Sequence, residues 1–224
     1  MSRQPQPPTP AYEAARTALL FIDPYNDFLS PGGKLWSQVE AVAEAVGLLD
    51  NLRSVTSAAR AAGLQVFIVP HHRAQPDDLS GWRHPTPYQR GAAQAQVFAQ
   101  GDWGGEWRTE FAPRPGDVVV KEHWAASGFA NTDLDMLLKQ HGISHVILIG
   151  LLANTCVEGT ARMAVELGYH VTLVSDATAA FSPEAMHAAH VLNAPAFAHA
   201  ILRSAELVGA LPRPAGAATA LAPA

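Results

Sequence analysis

Residues 144–175 decide the fold: SHVILIG (144–150), LLAN (151–154), TCVEGTARMAVELG (155–168) and YHVTLVS (169–175). The first and last pieces are apolar runs too continuous for a half-exposed antiparallel strand, so they read as parallel strands buried on both faces. Between them a four-residue link leads into a helical stretch that stops at Gly168, where a glycine just past the last turn is expected. This is a strand–helix–strand crossover. Cys156, the chain's single cysteine, falls in the first turn of that helix. There, unpaired backbone N–H groups and the positive helix end are expected to lower a thiol pKa from about 8.5 to roughly 3.5–7.5. The competing reading of a lone cysteine is a small buried hydrophobe.

Working outward, apolar β-branched runs recur at 17–23 (TALLFID), 64–70 (LQVFIVP) and 117–121 (DVVVK), with a short sixth strand expected at 206–208. Helices are expected at 38–62, 132–141, 155–168 and 183–193, the last continuing towards 203. Gly63 and Gly142 mark further helix ends, and Thr132 before Asp133 and Asp135 reads as an N-cap. The alternation predicts an α/β fold, a doubly wound (Rossmann-like), mostly parallel six-stranded sheet with helices on both faces. A single domain is expected over 15–210, with a Pro-rich tail at 1–14 and an Ala/Pro-rich tail at 211–224. Residues 71–116 form a connection long enough to serve as a lid or binding loop.

Hydrophobic residues make up 48% of the 224-residue chain, yet the mean hydropathy is only +0.04. The net charge is −5 and no basic run occurs, which argues against nucleic-acid binding. No apolar run approaches the roughly 20 residues that span a membrane. One cysteine allows neither an internal disulfide nor a cysteine-rich metal site. A cytoplasmic location is expected, which keeps the thiol reduced.

In an open α/β sheet, ligands bind at the carboxyl ends of the strands. Asp23 ends the first strand, Lys121 ends the third and Cys156 follows the fourth. Asp23 can take the thiol proton and Lys121 can stabilise the thiolate. The N–H groups of Leu152 and Cys156 can bind a developing oxyanion. Singly, each residue has a plainer explanation, since Asp23 precedes Pro24 and could start a turn, and Lys121 could pair with Glu122 on the surface. Together the three groups are chemically complementary.

The segments LLFIDPYNDF (19–28), VVVKEHWAASGFANTDLDMLL (118–138) and VILIGLLANTCVEGTARMAVELGYHVTLVSDATAA (146–180) resemble the isochorismatase-like cysteine hydrolases, in order, over roughly residues 15 to 205. The resemblance implies a sheet of order 3-2-1-4-5-6, an Asp–Lys–Cys triad at Asp23, Lys121 and Cys156, and a non-proline cis peptide at Leu151–Leu152. It also implies a homodimer or homotetramer. Tyr25 stands where many relatives carry glutamine, and Leu152-Ala153-Asn154 where many read Ala-Thr-Asn. Relatives that cleave the vinyl ether of isochorismate typically lack the cysteine. Nicotinamidases carry a metal-binding aspartate and histidines after the second strand, whereas here the residues are Pro70-His71-His72-Arg73, with His84 further on and no aspartate before them. The wording PHHR…GWRHP and Tyr25 are similar to the streptothricin hydrolase branch.

Adjacent side chains in extended backbone point opposite ways, so His71 and His72 are poor partners for one ion, and neither a metal nor another cofactor is expected. Tyr25, Phe28, Trp82, Trp107, Trp124 and Phe129 are candidates for contacts to the substrate. The expected activity is hydrolysis of a non-peptide C–N bond in a small carboxamide, ureide or lactam, through a thioester on Cys156. The alternatives are an isochorismatase-type vinyl ether hydrolase and a non-catalytic small-molecule-binding homo-oligomer.

Overall fold

The computed structural model describes residues 11–212. Of the tails expected at 1–14 and 211–224, residues 1–10 and 213–224 lie outside the described residues. Tyr12, placed by the sequence in the N-terminal tail, is instead buried, and its hydroxyl shares a 2.9 Å hydrogen bond with Thr172.

Six parallel strands, β1 (Thr17–Ile22), β2 (Gln65–Val69), β3 (Val118–Val119), β4 (His145–Leu151), β5 (His170–Ala179) and β6 (Ala200–Leu202), form one sheet in the order β3-β2-β1-β4-β5-β6. That is the order the resemblance implies. The continuous apolar runs are explained by burial on both faces, because each strand sends alternate residues to opposite cores. Along β1, Leu19 and Phe21 join one core with Val66, Ile68, Ile147 and Ile149. Ala18, Leu20 and Ile22 join the other with Phe67, Val69, Val146 and Leu148.

The helices are α1 (Asn26–Leu29), α2 (Trp36–Val46), α3 (Leu48–Ala61), α4 (Pro87–Ala95), α5 (Leu134–Gln140), α6 (Glu158–Glu166), α7 (Pro183–His187) and α8 (Ser204–Ala210). The single helix expected over 38–62 is two, broken at Gly47. There φ is +69°, and the Gly47 N–H caps the α2 carbonyls of Ala43 and Glu44. The helix expected to run from 183 towards 203 gives way after α7 to a π-helical turn (Ala188–Asn193), a 3-10 turn (Ala194–Ala196) and then β6. Residues 206–208, read as a strand, lie in α8. Glu206 accepts a 2.7 Å hydrogen bond from the Arg203 N–H at the helix start, so local capping prevails over the short apolar run.

Residues 71–116 are ordered by packing rather than left as an open loop. Thr86 and Gln89 form a reciprocal capping box at the start of α4, with Pro87 in the first turn. Phe98 and Phe111 are buried. Tyr25, also buried, is sandwiched between the rings of Phe98 and Trp107, each 4.7 Å away between centroids. Aromatic pairs of this kind contribute about 0.5–1.5 kcal/mol each beyond their burial. The sandwich fixes residues 98–107 over the end of β1.

Candidate active site

β1 ends at Ile22, and the next residue, Asp23, is fully buried in the left-handed region with φ +53°. Few non-glycine residues adopt this conformation, and where they do the surroundings hold them in it. Here the Asp23 N–H donates to the Val69 carbonyl (3.1 Å) and its own carbonyl accepts from the Tyr25 N–H (2.8 Å). β4 runs one residue beyond Gly150, whose φ of +111° accompanies a close approach to β1. A side chain there would meet the Ile22 carbonyl oxygen at 2.1 Å. Beyond it the Leu151–Leu152 peptide is cis, as the resemblance implies. The chain then enters a π-helical turn, Ala153–Val157, ahead of α6, and Cys156 sits in that turn with 1% exposure.

Lys121 does not join these residues, and the expectation that it would is corrected. β3 is the edge strand, two strands from β1, and along it Val119 and Lys121 share the outward face and are both exposed. The Lys121 N–H donates to Asp133 at 2.8 Å. Its sequence neighbour Glu122 pairs with Arg73 (2.6 Å) and His72 (3.3 Å), so the surface pairing of Lys121 with Glu122 is not found either. Two residues further on, the chain crosses the end of β2, with the His123 N–H on the Pro70 carbonyl and the His123 carbonyl accepting from the His72 N–H. That crossing carries the fully buried His123 ring to Asp23, with Nε2 3.1 Å from Asp23 Oδ1. The sequence reading passed over His123.

One ligand atom each of Asp23, His123 and Cys156 lie within 4.8 Å of one another, and all three residues are buried. His123 Nδ1 lies 2.7 Å from the Ala125 carbonyl oxygen. Both ring nitrogens therefore face acceptors, an arrangement that the imidazolium satisfies with two donated hydrogen bonds. Burial opposes that charge, but Asp23 and the Ala125 carbonyl outweigh it and hold the His123 pKa above its ordinary value. Asp23 Oδ2 is buried and has no hydrogen-bond partner. The Cys156 sulfur lies 3.9 Å from the Ala125 oxygen and 3.8 Å from the Thr155 hydroxyl.

The thiol pKa runs opposite to the expectation from a helix N-terminus. Burial, and then the neighbouring Asp23 charge, push it well above its ordinary value, while Thr155 and the Leu152 N–H pull weakly the other way. The helix proper starts two residues after the sulfur, and desolvation of a charged thiolate dominates.

Two further residues missed by the sequence reading border the cluster. His71 is buried, with its ring centroid 5.1 Å from that of His123 and its Nε2 without a partner. Burial lowers its pKa, so it is neutral. Tyr88 on α4 lies over His71 at 6.3 Å between ring centroids. Desolvation of its inner edge, and then the Asp23 charge, raise its hydroxyl pKa, although the residue as a whole is 40% exposed. His72 points away from His71, to Asp78 at 2.8 Å and Glu122 at 3.3 Å. Adjacent histidines thus diverge as the extended backbone predicts, and His84 is exposed.

The aromatic candidates separate into two groups. Tyr25 donates to the His71 carbonyl at 2.8 Å, Trp107 stacks on it, Phe28 packs edge-on against Phe98, and Phe129 stacks on Tyr169. Tyr25, Phe28 and Phe129 are buried, and with Trp107 they pack against other rings of the protein. Trp124 does line a cavity under α4, together with His71, His72, Leu79, Gln89 and Val97. It stacks on His72 at 3.5 Å, and Trp82 leans on its outer side at 5.2 Å.

The Isochorismatase domain family profile matches residues 17–205. The ureidoacrylate amidohydrolase RutB of Pantoea ananatis is 32% identical over 202 residues, covering 86% of this chain and 80% of that protein. The RutB of Variovorax paradoxus is 33% identical over 204 residues, covering 86% and 81%. Among solved structures, a cysteine hydrolase from Pseudomonas syringae pv. phaseolicola superposes with a TM-score of 0.76 at 28% identity, covering 94% of this chain and 98% of that one. The N-carbamoylsarcosine amidase of Thermoplasma acidophilum superposes with a TM-score of 0.61 at 31% identity, covering 84% and 96%. With a cysteine-bearing turn after β4, a carboxylate after β1 and a profile match across nearly the whole described chain, the protein belongs to the isochorismatase family, on its cysteine hydrolase side.

Proposed function

We propose that this cysteine hydrolase, which cleaves a non-peptide C–N bond, works through an Asp23–His123–Cys156 triad in which imidazolium stands where the resemblance implies a lysine ammonium. The observation that carries it is the division of labour at Asp23. Oδ1 is engaged by His123, while the buried Oδ2 has no partner and is free to take a proton. A thiol held neutral by burial transfers its proton to Oδ2 as the sulfur bonds to the substrate carbonyl carbon. The oxyanion is received by the Leu152 and Cys156 N–H groups. Asp23 then passes the proton to the departing nitrogen as the C–N bond breaks, leaving a thioester. A water molecule that gives a proton to Asp23 attacks the thioester, releasing the acid and restoring the thiol.

The named relatives act on ureidoacrylate and N-carbamoylsarcosine, both carbamoyl compounds, which favours a small ureide or carboxamide for this chain. No helix among the described residues is long and apolar enough to cross a membrane. The reading extends to a cytoplasmic homodimer or homotetramer, with α4 and residues 71–116 as a lid and Trp82 and Trp124 at its rim.

The test is a panel of ureides and carboxamides scored by ammonia release, with isochorismate and pyruvate detection as a control arm. Mass spectrometry of the quenched reaction should find an acyl group on Cys156, and Cys156→Ala should be folded and inactive. Turnover by Cys156→Ala, or pyruvate from isochorismate without ammonia from any amide, would overturn the reading.

A further inference from the structure

Replacing an ammonium by an imidazole changes more than the pKa of the cation. An ammonium carries no lone pair at neutral pH, whereas imidazole nitrogen, thiolate and carboxylate are the three commonest protein ligands of zinc. Here one nitrogen, one sulfur and one oxygen converge within 4.8 Å of one another in a buried pocket. His123 is also oriented as metal-binding histidines are, with Nδ1 anchored on a backbone carbonyl 2.7 Å away and Nε2 turned to the cluster. A second, independent observation points to a missing partner. Asp23 Oδ2 and His71 Nε2, on residues 0% and 6% exposed, are both buried polar atoms without one. Buried orphaned groups are uncommon and call for an explanation such as an absent ion.

We propose that Asp23, His123 and Cys156 also form an inhibitory site for a thiophilic divalent cation, Zn²⁺ by its donor set, with His71 as a further buried donor beside it. The ion takes the Cys156 sulfur as thiolate, His123 Nε2 and an Asp23 oxygen. The S–H proton and the His123 Nε2 proton leave to solvent. Nucleophile and proton acceptor are then both engaged, and hydrolysis stops until the ion is removed. The ion is a competitor for the triad and not a cofactor. Its effect on turnover rests on the hydrolase reading given above, but its binding does not.

Co²⁺ and Zn²⁺ are the probes, added to the full-length protein after chelator treatment. Co²⁺ should give a near-ultraviolet thiolate-to-metal charge-transfer band at one ion per chain. The band should be absent in Cys156→Ser and lost in His123→Lys, which keeps the charge but not the ligand. Zn²⁺ should displace Co²⁺ and should inhibit chelator-treated wild-type enzyme, with EDTA reversing the loss. Inhibition of whatever activity His123→Lys retains should need at least roughly tenfold more Zn²⁺, since even a second-sphere change costs 10- to 100-fold in affinity. Absence of the band in folded wild type, a band that persists in His123→Lys, or activation by Zn²⁺ would each overturn the proposal. Because the band is read without substrate, a protein inactive on every amide still tests the metal site.

Discussion

A positive charge on His123 is the part of the proposed triad whose loss can be sized. His123→Gln keeps a side-chain amide near Asp23 and removes the positive charge beside the sulfur. At 4.8 Å, the outer bound of the cluster, and an effective dielectric of about 20, a unit charge stabilises a developing thiolate by about 3.5 kcal/mol. That converts to roughly 300-fold in rate. kcat/KM for ammonia release from the best ureide should fall by that order in His123→Gln, with the melting temperature measured alongside to exclude unfolding. The pH profile carries the same information with a definite sign. Burial lowers the folded pKa of His123 but Asp23 outweighs it, so the cation persists to higher pH than in a free imidazole. It is lost as pH rises through the folded value, and so is the stability that the ion pair contributes. Activity should therefore fall on the alkaline side. His123→Lys, with an ordinary lysine pKa near about 10.4, should carry that limb to higher pH. A His123→Gln enzyme within threefold of wild type, or an alkaline limb unmoved in His123→Lys, would refute the assignment of the cation.

Two predictions concern the scaffold. His145, His170 and His199 stack at the N-terminal edge of the sheet, at 4.8 and 4.4 Å between centroids. Burial first, then the other two rings, lower the His170 pKa to about 4. A base whose folded pKa is depressed gives stability that is whole above its unfolded pKa of about 6.5 and lost as pH falls towards 4. Partial exposure screens the effect. The melting temperature should drop across that window, and His170→Phe should flatten the drop; an identical profile would remove the stack as its cause. Separately, a Cβ added at Gly159 would lie 2.1 Å from the Ala126 carbonyl oxygen, backbone against backbone. Gly159→Ala should shift the segment that carries His123 and Ala125 and cost about 10²-fold in kcat, as a displacement of about 1 Å can. Gly209→Ala, where the added atom meets nothing within 4 Å, should change nothing; equal activity of the two variants would place the loop's support elsewhere.

Strands β1, β2, β4 and β5 were legible because burial on both faces leaves continuous apolar runs, and β3 because its run 118–120 is β-branched throughout although Val119 is exposed. β6 was not, since Ala200–Leu202 is three residues long and the better apolar spacing at 206–208 belongs to α8. Asp23 and Cys156 were legible because each follows a central strand directly. The third member of the buried cluster lies two residues past the lysine to which the sequence pointed. Its position depends on how an edge strand of two residues lets the chain cross β2, and that is a tertiary fact. One local signal was present in the alternation along 118–121, which puts Lys121 on the side of Val119 and away from the sheet. For the aromatic candidates, too, composition says less than packing does. Composition marks Tyr25, Phe28 and Trp107 as contact-forming, but only packing shows that their contacts are with Phe98 and one another.

The misreading of the thiol has a mechanistic consequence. A cysteine in the first turn of a regular helix would be activated before substrate arrives, as a standing thiolate. Cys156 instead precedes α6 in a π-helical turn and is buried against a carboxylate, so its resting form is the neutral thiol. In the proposed mechanism its reactivity arises during attack, when negative charge passes from sulfur to the substrate oxygen while the proton crosses to Asp23 Oδ2. A buried, protonated thiol is also shielded from adventitious oxidants and alkylators, which act on thiolate. The imidazolium of His123 serves both states. In the proposed mechanism it engages Asp23 Oδ1 in the resting enzyme, leaving Oδ2 for the proton, and it offsets the charge that develops on sulfur in the transition state. The site is thus arranged to stabilise charge as it forms, and the raised thiol pKa is compatible with nucleophilic catalysis rather than evidence against it.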